Sequence, residues 1–377
     1  MTKLSNEVLQ TVMERYPILE KEKDYQNKWS YDVGVVLQGI KEAYRQTGES
    51  KYFNYIKENI DYYIDEDNSP RGYHYEDMNL DNINNGKLLF LLFQETKETK
   101  YKVIMDRLFD QLQQMPRTPE GGFWHKKIYP NQMWLDGLYM AEPFYAEYLL
   151  TFKNGEGLED VIKQFRLCYE HTLDKQTGLL YHAWDSAKKQ NWADSETGQS
   201  PHFWGRAMGW YLMALVDTME IFQDHENKTY VEELKKIFSN CCQALANVRD
   251  KQKHVWFQIL DLGDRTGNYL EASASSMIIA AMAKAQRLNI LSSDWDAFIK
   301  ESYQGLQDTF VTYTQEGWVD LNYTCEVAGL GGESRRDGTF AYYISEPIVT
   351  NDFKGYGAFL QATLAMEPIG AKNILKV

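Results

Sequence analysis

The stretch QMWLDGLYMAEPF, residues 132–144, surrounds a single acidic side chain with apolar and aromatic ones just where a helix is expected to begin. That residue, Asp136, follows Met133, Trp134 and Leu135. A carboxylate in such surroundings loses hydration, which disfavours its charged form. A general acid needs a proton to give, so the setting suits that role. The alternative is that Asp136 only caps a helix by accepting backbone N–H groups.

Similar signals recur along the chain, each a polar residue that opens an apolar segment among glycines and aromatics. The residues are Asp32, Asp81, Asp136, Arg206, Glu271 and Asp352. Their intervals are too irregular for a solenoid of near-identical units, but they are close to the length of a helical hairpin with its loops. The pattern predicts an all-α chain of six hairpins. Arranged in a ring, the hairpins would bring all six helix starts to one mouth.

Composition is that of an ordinary globular protein, with 44% hydrophobic and 25% charged residues in 377. No linker or low-complexity run interrupts residues 1–377, so we predict a single domain. The net charge of −14 argues against a nucleic-acid partner, which needs concentrated Lys and Arg. The sequence has no signal-peptide core and no long apolar run, so we predict no membrane association and a cytoplasmic location.

An acidic surface repels anionic ligands at a distance, so an acidic substrate would need cations placed at the site itself. Arg206, Arg335 and Arg336 are candidates. Aromatic residues make up 14% of the chain, and their faces suit the C–H surfaces of sugar rings. The alternative for most of these aromatics is that they pack helices together.

Other chemistry finds little support in the sequence. The four cysteines have no metal-ligand spacing, and nucleophile-elbow, P-loop, zinc-protease and dinucleotide motifs are absent. We therefore predict no metal and no cofactor. His182, flanked by Tyr181 and Trp184, is a catalytic candidate, although a histidine in such surroundings is more often a core residue.

Two further stretches carry candidate ligand contacts. Lys126 lies in a loop shortly before Asp136. A single basic residue in a loop is usually solvent-exposed and has no specific role. Arg206 lies between Trp204 and Trp210, and indole rings can hold a guanidinium flat while its donors face a ligand.

Five motifs of the sequence resemble those of a known family. The motifs are GGFWHK at 121–126, QMWLDGLYM at 132–140, GLLYHAWD at 178–185, SPHFWGRAMGWY at 200–211 and TNDFKGYGAF at 350–359. Together they are similar to the unsaturated rhamnogalacturonyl hydrolases of glycoside hydrolase family 105. The resemblance implies an (α/α)6 barrel with a few short strands in loops. It also implies a substrate, an oligosaccharide that ends in the Δ4,5-unsaturated galacturonic acid left by pectin lyases.

The resemblance also implies a mechanism and roles for residues. Asp136 acts as general acid and base in hydrating the C4=C5 bond, while Asp81 and His182 orient substrate and water. The paired-carboxylate distance rule of ordinary glycosidases does not apply to this reaction. The positions expected to contact substrate are Tyr31, Lys126, Trp134, Trp204, Arg206, Trp210, Arg335 and Arg336.

Alternatives stay open at this stage. An unsaturated glucuronyl hydrolase would use the same hydration on other polyuronides. An (α/α)6 sugar epimerase would need a histidine pair and leave Asp136 idle, and a sugar-binding protein would need only the aromatics. The second sugar of the substrate is open, and so is the choice between a monomer and a small homo-oligomer.

Overall fold

A computed structural model describes residues 1–22, 28–223, 228–332 and 336–368. Its helices alternate with short loops along the described chain. They are α1 (Lys3–Arg15), α2 (Leu19–Glu22), α3 (Tyr31–Thr47), α4 (Ser50–Asp61), α5 (Gly86–Thr96), α6 (Thr99–Gln114), α7 (Leu135–Lys153), α8 (Leu158–Thr172), α9 (Gly205–Ile221), α10 (Lys228–Val248), α11 (Ala272–Arg287), α12 (Asp296–Phe310), α13 (Phe340–Ser345) and α14 (Phe353–Ala365).

Six of these helices form a closed inner ring. Each packs against the next in the order α3, α5, α7, α9, α11, α14, and α14 returns to α3. An outer helix covers each inner one: α4 packs on α3, α6 on α5, α8 on α7, α10 on α9, α12 on α11 and α1 on α14. This arrangement is the expected (α/α)6 barrel, and the predicted fold class is confirmed.

Burial separates the two rings. The inner helix α9 is buried on nearly all sides, whereas the buried positions of the outer helix α6 recur at three and four residues along one face. Glycines let inner helices approach closely. A Cβ on Gly209 would lie 2.6 Å from the Cβ of Met277 on α11, and one on Gly357 would lie 2.6 Å from the backbone of Val36 on α3.

The six recurrent polar residues all lie at the N-terminal ends of inner helices. Asp32, Asp136 and Arg206 lie in the first turns of α3, α7 and α9, Asp81 lies in a 3-10 turn just before α5, and Glu271 and Asp352 are the N-caps of α11 and α14. The prediction that these residues open the inner helices is confirmed. They therefore gather at one end of the barrel, which we call the N-terminal mouth.

Three short antiparallel strand pairs decorate the loops. The strands are β1 (Gln132–Trp134) paired with β2 (Ala183–Asp185), β3 (Val311–Tyr313) paired with β4 (Val319–Leu321), and β5 (Thr324–Cys325) paired with β6 (Ile348–Val349). Across the described ranges, no helix has both the length and the apolar character needed to span a membrane.

Candidate active site

The β1–β2 pair brings His182 beside Asp136, although the two are far apart in sequence. Trp134, the last residue of β1, pairs with Ala183, and the next backbone N–H, of Leu135, donates to the carbonyl of His182 at 3.1 Å. Helix α7 begins at that same residue, so its first turn presents Asp136 next to the imidazole. The strand pairing thus builds the centre of the site.

The carboxylate and the imidazole are close but not joined. Nε2 of His182 lies 3.2 Å from Oδ2 of Asp136, yet the two atoms are not aligned for a hydrogen bond. Within the described part of the chain, both atoms are buried and have no hydrogen-bond partner. Asp136 is 8% exposed and His182 is 0% exposed. A buried polar atom without a partner is costly, and at an active site such an atom is one whose hydrogen bonding water or a ligand can complete.

The other ring nitrogen of His182 is held by a residue that sequence reasoning missed. Nδ1 lies 2.7 Å from the hydroxyl oxygen of Tyr343, on α13. Burial raises the pKa of Tyr343 well above its ordinary value, and the charge of Asp136 adds to that shift. The phenol therefore stays neutral and fixes the ring orientation. Its only sequence signal was its place in the long loop region before Asp352.

Helix capping does not explain Asp136. The N-cap of α7 is Trp134, which makes no side-chain capping bond. No backbone N–H in the described ranges donates to the Asp136 carboxylate. The side chain instead faces His182, which leaves the capping interpretation without a contact to support it.

A second acidic group lies at the start of the neighbouring inner helix. The N–H of Leu80 donates to the carbonyl of His125 at 3.1 Å, which aligns Asp81 with the loop that carries Lys126. Nζ of Lys126 lies 2.5 Å from Oδ2 of Asp81, and Nε2 of His125 lies 3.6 Å from Oδ1. These links join the loop before Asp136 to the same mouth.

The charges of this cluster follow from burial and pairing. Burial alone would raise the pKa of Asp81, but the cations around it, Lys126 foremost, outweigh burial and lower the pKa. Burial lowers the pKa of His125 to about 4, so its ring is neutral at neutral pH. For Lys126, burial opposes the ammonium, but Asp81 and then Asp136 raise the pKa. The cluster thus presents an ionised pair beside Asp136.

Aromatic rings pack against the two imidazoles of the site, those of His125 and His182. Trp134 stacks on His125 at 4.7 Å and on Tyr129 at 4.8 Å between ring centroids, and meets His182 edge to face at 5.3 Å. Trp204 lies 4.7 Å from His182 on another side. We call Tyr129, Trp134 and Trp204 the aromatic wall. Trp134 is 5% exposed and Trp204 1% exposed, so stacking of a sugar ring on this wall stays a prediction.

The two remaining aromatic candidates lie farther around the mouth. Trp210 packs on Tyr139 at 4.6 Å and meets Tyr31 edge to face at 6.4 Å. Burial raises the pKa of Tyr31 well above its ordinary value, and the charges of Asp32, Asp81 and Asp136 add to the shift. Tyr31 is therefore a neutral hydroxyl within the electrostatic reach of all three carboxylates.

Arg206 differs from the arrangement expected from its two neighbouring indoles. It is 1% exposed; its Nε donates to Ser273 at 2.7 Å, and its NH2 group donates to the carbonyl of Cys325 and lies 3.7 Å from Glu271. Its guanidinium contacts Trp204 at 5.3 Å. These donors hold α9 against α11 and β5, so a direct contact with substrate stays a prediction.

The glycine-rich loop brings one of its two arginines to the site. Without a side chain on Gly329, the guanidinium of Arg336 approaches to 2.7 Å from where a Cβ would stand, and the ring of Trp134 lies 3.5 Å from that same point. Arg336 is thus near the aromatic wall. Arg335, the other predicted contact, lies outside the described residues.

Among the described residues, no group of three or more His, Cys, Asp or Glu side chains is placed to hold a metal ion. The four cysteines are buried free thiols, as predicted.

Both the sequence and the fold are similar to those of known glycoside hydrolases. The family description Glycosyl Hydrolase Family 88 matches residues 4–369. A solved glycoside hydrolase of family 105 from C. acetobutylicum ATCC 824 is 45% identical with a TM-score of 0.91, and the match covers 97% of this chain and 99% of that one.

Curated relatives point the same way. The unsaturated rhamnogalacturonyl hydrolase YesR of Bacillus subtilis is 28% identical over 268 residues, which are 69% of this chain and 72% of the relative. Protein Atu3128 of Agrobacterium fabrum is 35% identical over 231 residues, 59% of this chain and 96% of the relative. The chain is therefore a glycoside hydrolase that belongs to Glycosyl Hydrolase Family 88, and its likeness to the clostridial enzyme confirms the resemblance to family 105.

Proposed function

We propose that this enzyme removes the terminal Δ4,5-unsaturated galacturonic acid from lyase-generated rhamnogalacturonan oligosaccharides by hydrating the C4=C5 bond. The observation that supports this most is the buried Asp136 and His182 pair, whose Oδ2 and Nε2 atoms lie 3.2 Å apart without an aligned hydrogen bond. Such a pair has one carboxyl group to move a proton and one ring nitrogen to hold a water or a hydroxyl.

The reaction follows from placing the double bond against Asp136. The protonated carboxyl gives its proton to C4, which builds positive character at C5 beside the ring oxygen. Water adds at C5 while the carboxylate, now ionised, takes up the proton that the water releases. The product is a hemiketal, which opens and releases the neighbouring sugar. Asp136 ends in the protonated form in which it began.

The other residues bind and orient in this proposal. His182, held by Tyr343 at 2.7 Å, positions the water or a substrate hydroxyl. Asp81 accepts from substrate hydroxyls and keeps Lys126 in place at 2.5 Å. Lys126 and Arg336 offer positive charge to the uronate carboxylate. Stacking on the sugar ring is assigned to the aromatic wall, and the full set of proposed contacts is Tyr31, Lys126, Trp134, Trp204, Arg206, Trp210, Arg335 and Arg336.

The choice of a pectin-derived substrate rests on the name of the Bacillus relative, which is an unsaturated rhamnogalacturonyl hydrolase. We also propose that residues 1–377 form one catalytic domain, which the family match over residues 4–369 supports. A cytoplasmic location, the absence of nucleic-acid and membrane partners, and a monomer or small homo-oligomer stay predictions from the sequence.

Absorbance tests the proposal directly. The conjugated uronate absorbs in the ultraviolet, hydration abolishes that band, and epimerisation or mere binding preserves it. Unsaturated disaccharides from rhamnogalacturonan, homogalacturonan, ulvan and glycosaminoglycans would be compared at equal concentration. We expect the fastest loss of absorbance with the rhamnogalacturonan product. Faster loss with a glycosaminoglycan product would favour a glucuronyl hydrolase, and binding without any loss would exclude the reaction.

A further inference from the structure

A cavity of about 670 Å³ lies at the end of the barrel opposite to the N-terminal mouth. Its walls come mainly from the second halves of α3, α7, α9, α11 and α14, and it reaches inward as far as Lys87 on α5. The inner helices begin at the mouth that holds Asp136, so their later turns lie away from it. The volume is in the range of roughly 300–1,000 Å³ that small-molecule sites occupy.

Two buried lysines line this cavity. Lys41 is 5% exposed and Lys87 is 3% exposed. Nζ of Lys41 donates to the carbonyl of Lys87 at 3.0 Å, and Nζ of Lys87 donates to the carbonyl of Tyr139 at 2.5 Å. Among the described residues, neither amine has a carboxylate oxygen within 4.0 Å. Each amine, when charged, carries three donors, so both keep donors for a ligand.

Two of the cavity's acids already have partners. Nζ of Lys284 lies 2.7 Å from Asp217 and 2.8 Å from Glu220, and Arg45 lies 3.4 Å from Glu220. These four groups neutralise one another.

In the described part of the chain no salt bridge reaches Lys41 or Lys87, although Nζ of Lys87 lies 3.5 Å from the ring centroid of Tyr139. Burial dominates and lowers the pKa of Lys41 to about 8 and that of Lys87 to about 7, although Glu147 opposes the first shift and Asp217 the second from a longer distance.

Two more carboxylates line the wall. Glu42 accepts a hydrogen bond from Gln46 at 3.0 Å. Burial raises the pKa of Glu147, which favours its neutral form. Neither lies within the salt-bridge distance of 4.0 Å from the two lysine amines, whose hydrogen bonds go to backbone carbonyls.

Helix dipoles account for some of the basic residues here but not for these two. Arg45, Lys284 and Arg287 lie in the last turns of α3 and α11, where cations complement the partial negative charge of the helix ends. Lys41 lies more than one turn before the end of α3, and Lys87 lies in the first turn of α5. The dipole therefore supplies no reason for burying them.

Two other side chains of the cavity also have a hydrogen-bond donor that finds no partner among the described residues. Nε2 of Gln38 and Nε of Arg45 are buried and have no hydrogen-bond partner in the part of the chain that the structure describes. Both residues line the cavity. We propose that this cavity is a second binding site, which takes a small molecule bearing a carboxylate or phosphate group on Lys41 and Lys87. Charge-assisted hydrogen bonds to such an oxyanion would use the donors that the two amines still have.

Calorimetric titration of the full chain tests this site with two probes, inorganic phosphate and galacturonate. Galacturonate lacks the double bond and is not consumed. We expect at least one probe to bind, and Lys41→Met and Lys87→Met each to weaken binding by about tenfold or more. Methionine keeps the length of the side chain and removes only the amine. Lys300→Met, an exposed position on α12, is the matched control and should bind as the wild type does.

The outcomes separate the sources and the sites. If only phosphate binds, or only galacturonate, the result identifies which oxyanion the cavity takes. Either result supports the proposal when the two methionine variants weaken the binding. The proposal is overturned if neither probe binds. Unchanged affinity in the two methionine variants also overturns it, as does binding that Lys126→Met abolishes, since that would place the anion at the N-terminal mouth. Should both lysine variants fail to fold, Gln38→Leu carries the test, and unchanged affinity in that variant overturns the proposal.

Discussion

Replacing Asp136 with asparagine separates catalysis from structure at the centre of the site. The change Asp136→Asn keeps the shape of the side chain but removes the acidic proton. The carboxylate accepts no capping bond and is not aligned with His182, so the substitution removes no hydrogen bond from the described part of the fold. The remaining stability difference is at most that of one carboxylate charge at the start of α7, about 0.3–1 kcal/mol.

The expected effect on turnover is much larger. Loss of a positioned general acid lowers the rate by on the order of 10² to 10⁴, and each tenfold corresponds to about 1.4 kcal/mol of transition-state free energy. The assay is the loss of ultraviolet absorbance on the unsaturated rhamnogalacturonan disaccharide, with kcat and KM measured separately. We expect kcat to fall and KM to change little, because the amide still fills the same space.

Thermal unfolding supplies the matched comparison. Glu159→Gln removes an exposed first-turn carboxylate from the outer helix α8, and should shift the stability by a similar fraction of a kcal/mol with full activity. The assignment of Asp136 would be refuted if Asp136→Asn kept activity within a few-fold of the wild type. It would also be refuted if the variant lost activity only in proportion to its unfolded fraction, as a structural cap would.

Four further perturbations test the residues around Asp136 and the absence of a metal role. Tyr343→Phe leaves Nδ1 of His182 without its partner at 2.7 Å, so kcat/KM should fall on the order of ten- to hundredfold with the fold kept; an unchanged rate would exclude a positioning role. Asp81→Asn removes the partner of Lys126, and we expect KM to rise by about tenfold in the same assay, whereas an unaltered KM would argue against binding through this pair. His125 has a pKa of about 4 in the folded state, below its unfolded value, so the free energy of unfolding should decrease by about 3 kcal/mol as the pH falls from about 6.5 to about 4. Denaturant unfolding at several pH values should show this decrease. The His125→Gln variant should not show it. Chelation with EDTA should leave activity unchanged, and a loss that added divalent ion restores would contradict the absence of a metal role.

Much of the candidate site was accessible from local sequence. Asp136 and Asp81 stand out because each opens an apolar segment, and the structure does bring both to the N-terminal mouth. The contacts of Arg206 were not accessible in this way. Its two flanking tryptophans suggested an open guanidinium, but Ser273 and the carbonyl of Cys325 take its donors. Those partners come from α11 and β5, and sequence spacing carries no information about such distant contacts.

The division between sequence and structure has a physical basis in this protein. Apolar periodicity and helix-opening polar residues are properties of neighbouring amino acids, so the sequence was enough to predict six hairpins, an all-α barrel and the helix starts at one mouth. The pairing of Asp136 with His182 depends on β1 and β2, and the hold of Tyr343 on that histidine spans 161 residues. The cavity around Lys41 and Lys87 arises because later turns of several inner helices converge, and burial there depends on every helix at once. Distances and burial of this kind come from chain closure, which no local pattern encodes.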